Sequence, residues 1–194
     1  MISYQSVLNT KNLRANMPLN LDVIAFDADD TLWVNEPYFR EAELAFCKLM
    51  QAYITEEACM QALFDVEMKN LPLYGYGIKP FTLSLVEAAI SFSKGRVSTS
   101  TLKEIIALGK AMLHKPVEVI EGIPETLEIL SKKYRLVMAT KGDLLDQERK
   151  LVKSGLADFF HHIEIVSDKT QTQYRKLIKI ILCYHKTDSY NFFF

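Results

Sequence analysis

Three acids crowd the end of one apolar run. In VIAFDADDTLW, residues 23–33, a stretch of buried character meets Asp27, Asp29 and Asp30, and then Thr31, Leu32 and Trp33. Alternate residues leaving a strand face the same side, so Asp27 and Asp29 can point into one site. Two carboxylates held close repel each other unless a cation or a shared proton intervenes. Mg²⁺ is the natural cation, since it takes hard oxygen ligands and often uses one or two carboxylates with a substrate phosphate. A carboxylate can also act as a nucleophile and form an acyl phosphate.

Two further strand ends carry matching chemistry. Thr140 closes the run YRLVMAT, Lys141 follows it, and Lys169 lies just beyond the run HHIEIVS. A threonine hydroxyl donates to a phosphoryl oxygen, and a lysine neutralises charge there and keeps a nucleophilic carboxylate ionised. The substrate-binding candidates are therefore Thr140, Lys141 and Lys169. Taken singly, a DxD marks a solvated turn, Thr140 a cap and Lys169 a surface charge. Their shared placement at three strand ends describes a phosphoryl-transfer site. An EF-hand reading of DADDTLWVNEPY fails, because Leu32 and Tyr38 stand where the loop needs Gly and Glu. The adjacent His161 and His162 read as structural residues at the start of a strand, not as metal ligands.

The elements that must position these groups follow from the pattern. LDVIAFD (21–27) reads as a buried strand, too short for a helix and ending in turn formers. Residues 36–114 read as about four helices: one opening at Glu36 and Pro37, and one capped by Thr55. LPLYGYGIKP (71–80) is a Gly/Pro break. Another helix stops at Gly95, and Thr101 and Glu104 have capping-box spacing before the last. After residue 116 the order is a helix near Pro124, a strand over 134–140, a helix stopped by Gly155, a strand over 161–167, and a helix with Thr170 and Gln173 at capping-box spacing. Strands alternating with helices predict an α/β fold: a Rossmann-like parallel sheet core with an inserted helical unit. Tyr74, Tyr76 and Lys79, in the Gly/Pro break, are candidates to touch a leaving group and read otherwise as solvated.

Composition sets outer limits. The 194 residues carry 23 basic and 24 acidic side chains, a formal net charge of −1, and 49% apolar residues. That suits a buried core and a small phosphorylated substrate, with no basic stripe for nucleic acid. No run approaches the about 18 apolar residues of a membrane span. Cys47, Cys59 and Cys183 are odd in number and lack CxxC spacing, which suits a cytoplasmic protein.

On these residues the chain resembles the haloacid dehalogenase-like (HAD) hydrolases, mostly Mg²⁺-dependent phosphatases. FDADDTL looks like the family's first motif, VMAT ending in Thr140 like the second, and IVSDKTQTQYRKLI like the third, with Lys169 in the lysine position. EGIPETLEILSKKYRLVMATKGD resembles the family's run into the second motif. The resemblance implies residues 17–35 and 115–182 as the α/β core and 36–114 as a C1-type helical cap. It implies that Asp27 attacks phosphorus, and that Asp29 protonates the leaving group and then activates water. Asp27 and the main-chain carbonyl of Asp29 would hold Mg²⁺. Dehalogenases of the family typically lack the acid that Asp29 supplies. Receiver domains share Asp, Thr and Lys around Mg²⁺, but the long helical insert directly after the first strand argues against that reading.

The family's fourth motif, a strand ending in an acidic pair, has no clear counterpart. After Asp168 the sole acid is Asp188, and CYHKT before it makes a poor buried strand. Residues 183–194, ending in NFFF, read as an atypical tail, with a frameshift or early stop expected over a natural short form. Such a chain would leave the first strand as an open apolar edge. The alternative function is then a catalytically impaired remnant without turnover. Residues 1–16 read as an N-terminal extension, with Met17 as a possible start.

Overall fold

The structure is a computed structural model that describes residues 22–166 and 169–184, with side chains to residue 179. Strand β1 (Val23–Phe26) leads into four helices, α1 (Glu36–Met50), α2 (Glu56–Tyr74), α3 (Ile78–Phe92) and α4 (Thr99–His114). Then follow α5 (Ile123–Ser131), β2 (Arg135–Lys141), α6 (Leu144–Ser154), a 3₁₀ turn (Ala157–Phe159), β3 (His162–Val166) and α7 (Gln171–Tyr184). The N-terminal extension, Met17, Asp168, Asp188 and the tail beyond residue 184 lie outside the described residues. Among the described residues, no helix is long and apolar enough to cross a membrane.

The three strands form a parallel sheet in the order β1-β2-β3, so their carboxyl ends share one edge. Register brings Phe26 level with Met138 and Thr140 level with Ile165, which sets Asp27 beside the end of β2. Strand β2 is central and its residues Leu136 to Thr140 are all buried. Its side chains alternate between two apolar layers. Leu136 and Met138 pack with Leu127 of α5, Leu151 of α6 and Trp33, while Val137 and Ala139 meet Leu177 of α7. Burial on both faces is why YRLVMAT reads as a continuous apolar run. Among the described residues β1 pairs with β2 alone, and Val23, Ile24 and Phe26 are half-buried at that edge.

Helices α1–α4 bury an apolar cluster of their own. Phe46, Met50, Leu63, Leu85 and Ile105 are fully enclosed in it. Two chain crossings join this insert to the sheet. They run side by side, with Val34 N donating to Glu118 O (2.9 Å), Ile120 N to Leu32 O (3.0 Å), and Trp33 bridging Val119.

Two expected boundaries move. The break at 71–80 shrinks to residues 75–77, because α2 runs through Pro72 to Tyr74. Pro72 forgoes the N–H bond to Met68 O near the helix end, and Gly75, at φ 76°, ends the helix with its N–H on Leu71 O. Helix α4 is capped by Ser98, whose hydroxyl accepts from Thr101 N at 3.0 Å, so Thr101 is inside the helix and is not its cap. Thr170 does cap α7, accepting from Gln173 N at 3.3 Å. His161 Nδ1 accepts from Leu136 N at 3.3 Å and His162 pairs with Glu164 at 3.0 Å, in keeping with structural roles.

Candidate active site

Asp27 is the first residue past β1. Its Oδ1 accepts from Ala28 N at 2.8 Å and is ion-paired with Lys169 Nζ, which arrives from the far side of the sheet after β3. The Asp27 side chain stays 43% exposed, so it is open to a ligand. Sequence placed Asp27 and Lys169 at separate strand ends; the parallel sheet brings them into contact.

The turn after Asp27 uses its acids differently from one another. Leu32 N donates to Ala28 O at 2.7 Å and Asp30 N to Trp33 O at 2.8 Å, closing a tight loop. Asp30 sits at φ 56°, a left-handed conformation that Asp tolerates. Its carboxylate accepts from Asn35 N (2.9 Å) and Glu36 N (3.0 Å), so it caps α1 from outside the helix. Asp30 is thereby structural. Asp29 instead points to α6 and is held by three side-chain donors. Trp33 Nε1 (2.8 Å) and Lys150 Nζ (2.9 Å) donate to its Oδ1, and Gln147 Nε2 (2.8 Å) donates to its Oδ2.

Helix α6 supplies this support because of where it starts. Asp143 caps it, accepting from Asp146 N at 3.1 Å, directly after the end of β2. Gln147 and Lys150 then fall on one face, three residues apart. Gly142, at φ 138°, lets the chain pass against Gln147, where a Cβ would lie 3.0 Å from Nε2. Asp146, on the same face, is buried, and burial raises its pKa against the lowering effect of Lys150 and Arg149.

Thr140 is 1% exposed, and its hydroxyl lies 3.4 Å from Lys141 O. Lys141 Nζ stands 3.7 Å from the centre of the Tyr76 ring, a cation–π contact between sheet and insert. Lys79 pairs with Asp143 at 2.9 Å, and Tyr74 donates to Glu87. Tyr76 and Lys79 are therefore engaged at the site, whereas Tyr74 serves the insert. A cavity of about 330 Å³ opens between sheet and insert, with Asp27, Asp29, Thr140, Lys141, Tyr76 and Lys150 in its wall.

Lys150, Gln147 and Trp33 were not foreseen as site residues. The signal for Gln147 and Lys150 was the placement of DLLDQERK straight after the second strand end, with polar residues at helical spacing, and that for Trp33 was its place four residues after Asp29 in the first acid run.

Among the described residues, no group of three or more His, Cys, Asp or Glu is placed to hold a metal. The Asp29 carboxylate has both oxygens engaged. Asp27 Oδ2, which the Ala28 and Lys169 contacts leave open, and the Asp29 main-chain oxygen are the donors that would hold a cation here. Both are hard oxygens, and the set fits a Mg²⁺ ion that keeps several of its waters.

The comparisons with known proteins agree with this fold. Residues 21–183 match the family model of the haloacid dehalogenase-like hydrolases. A haloacid dehalogenase-like family hydrolase from Xanthomonas campestris is 40% identical, over 82% of this chain and 67% of that one, with a TM-score of 0.77. The 2-haloacid dehalogenase from Pseudomonas syringae pv. Tomato DC3000 is 21% identical over 82% of this chain and 72% of that one, TM-score 0.55. The HAD-hydrolase YfnB from Bacillus subtilis, in a structure bound to magnesium, is 16% identical over 88% of this chain and 74% of that one, TM-score 0.53. The last two show a common fold alone. No curated protein matches the chain. With the family model spanning most of its length, the chain belongs to the haloacid dehalogenase-like hydrolases.

Proposed function

We propose that this hydrolase cleaves small phosphomonoesters through an aspartyl-phosphate on Asp27, with Mg²⁺ as cofactor. The observation that carries the reading is the pairing of an exposed carboxylate, Asp27, held by Lys169, with a second carboxylate two residues on that is fixed by three donors in the same cavity. Asp27 attacks phosphorus, and the bond from phosphorus to the leaving oxygen breaks. Asp29 gives that oxygen a proton, then takes one from the water that splits the aspartyl-phosphate. Lys169 and Lys141 offset the phosphoryl charge, and the Thr140 hydroxyl donates to a phosphoryl oxygen. Mg²⁺, held by Asp27 and the Asp29 carbonyl, would neutralise phosphate charge during attack.

Dehalogenation is the other chemistry among the similar structures. Halide leaves without a proton, so a second carboxylate in the cavity, at Asp29, favours an ester oxygen as leaving group. A small phosphorylated substrate, with no nucleic acid and no membrane, fits the net charge of −1. A cytoplasmic setting fits the free thiols of Cys47 and Cys59.

The test is release of phosphate from 4-nitrophenyl phosphate by the 194-residue chain, with and without Mg²⁺, beside Asp27→Asn. Mg²⁺-dependent release that the variant loses supports the reading. A folded chain without turnover sinks it and leaves the alternative, a catalytically impaired remnant.

A further inference from the structure

Three donors from separate places in the chain converge on one carboxylate. Trp33 is wholly buried in the turn after β1, and its ring cannot follow Asp29 if the carboxylate moves. Gln147 is 2% exposed and also donates to Lys141 O at 3.2 Å. Lys150 is the third, its side chain 14% exposed, and it spans two acceptors at once: Asp29 Oδ1 at 2.9 Å and Asn35 Oδ1 at 2.7 Å. Asp146 Oδ2 lies 3.8 Å from the same ammonium.

A largely buried ammonium is costly unless its partners are in place. Here they are: the Asp29 carboxylate offsets the charge and the Asn35 amide oxygen accepts a second hydrogen bond. Asn35 stands at the crossing into α1, with its N–H on Asp30. Lys150 therefore ties Asp29 to the entry of the insert as well as to α6. Two donors occupy Oδ1 and one occupies Oδ2. Both lone pairs of Oδ1 are thus taken by donors, whereas Oδ2 keeps one free to face a leaving group.

We propose that Lys150 is a positioning residue for the hydrolase reaction: acting through Asp29, it holds that carboxylate to the cavity wall with Oδ2 turned to the leaving-group oxygen. The proposal rests on the phosphatase reading above. A carboxylate free to rotate about its two side-chain bonds would present the proton in the right direction only part of the time.

The experiment compares wild type, Lys150→Met and Lys150→Arg on two probes of matched size. The phenolate of 4-nitrophenyl phosphate leaves with little help from an acid, while the alkoxide of 4-nitrobenzyl phosphate needs a proton. The readout is kcat/KM, which covers the steps up to departure of the leaving group. Lys150→Met is expected to lower kcat/KM on the benzyl ester by about 10²-fold and on the phenyl ester by less than about threefold. Lys150→Arg restores part of the benzyl activity. In an Asp29→Asn background, Lys150→Met adds no further loss. Equal losses on both esters, no loss on either, or a gain would overturn the proposal, with Lys150→Arg and thermal melts separating unfolding from an effect on the site. A wild type that releases phosphate from neither ester would sink the phosphatase reading, and this inference with it.

Discussion

Lys79 Nζ lies 2.9 Å from Asp143 Oδ2, and through this pair α3 of the insert grips the residue that caps α6. The contact is the end of a seam. Tyr76 lies under Lys141, and Gly77, at φ 119°, backs onto Asp143 so closely that a Cβ would stand 3.1 Å from its N. The Lys79 side chain is 49% exposed, so its pair is screened and contributes under about 1 kcal/mol. Lys79→Met should accordingly leave the melting temperature nearly unchanged. If the seam shuts over bound substrate, the same variant raises KM by up to about fivefold, the rate equivalent of that energy. Added salt should raise KM in the wild type and do so less in the variant. A KM that ignores both the mutation and the salt would show the pair to be an idle surface contact.

Gly109 is a glycine in the middle of α4, where alanine is normally the better helix former by about 1 kcal/mol. Here the neighbour decides the sign. A Cβ at 109 would come 2.0 Å from Thr82 Oγ1 and 2.9 Å from Thr82 Cβ, across the packed face of α3. Thr82 cannot swing freely, because its hydroxyl donates to Ile78 O at 2.7 Å. Gly109→Ala is expected to destabilise by about 1–3 kcal/mol by urea unfolding. The double variant Gly109→Ala with Thr82→Ala should recover much of that. A more stable single variant would mean that α3 and α4 can move apart at no cost.

Thr140→Val tests the hydroxyl at the second strand end. The residue is 1% exposed in the middle of the sheet, and among the described residues its hydroxyl makes one long contact, 3.4 Å to Lys141 O. Losing it costs the fold about 1 kcal/mol or less. If the hydroxyl serves a phosphoryl oxygen, the loss appears in the rate instead, as a fall in kcat of about 10²-fold on 4-nitrophenyl phosphate. Stability and rate falling together would mark Thr140 as a packing residue.

The sheet and its strand ends were legible in the sequence because parallel strands carry their own signal. YRLVMAT and VIAFD are apolar runs of strand length, and the polar residues that follow them must fall at one edge once pairing is parallel. That is how Asp27, Thr140 and Lys169 could be gathered from three distant places. The clamp on Asp29 was not legible. Lys150 and Gln147 are ordinary exposed-looking residues of an amphipathic helix, and only the short turn at Gly142 and Asp143 turns that face onto Asp29. Asp30 shares the acid run but serves α1, a role set by its left-handed backbone that the run itself does not reveal. Pro72 misled, since its position within a helix's last turn depends on where Gly75 stops that helix.

Glu67 of α2 gives the insert a pH dependence of its own. Its Oε1 is buried and has no hydrogen-bond partner among the described residues. Burial, with Glu43 adding repulsion, lifts its pKa from 4.5 to about 7. Between these two values the folded chain binds more protons at this site than the unfolded chain does. Stability therefore falls as pH rises from roughly 4.5 to 7, and levels off above that. For a half-buried side chain the effect is about 1–3 kcal/mol, since one unit corresponds to about 1.4 kcal/mol. Glu67→Gln carries no charge to bury, so its unfolding free energy should be flatter across this window and exceed the wild type's at pH 8. Urea titrations of both proteins at pH 5, 6.5 and 8 read this directly. Parallel curves would mean that Glu67 reaches water when ionised, and that its pKa stays near that of an exposed carboxyl.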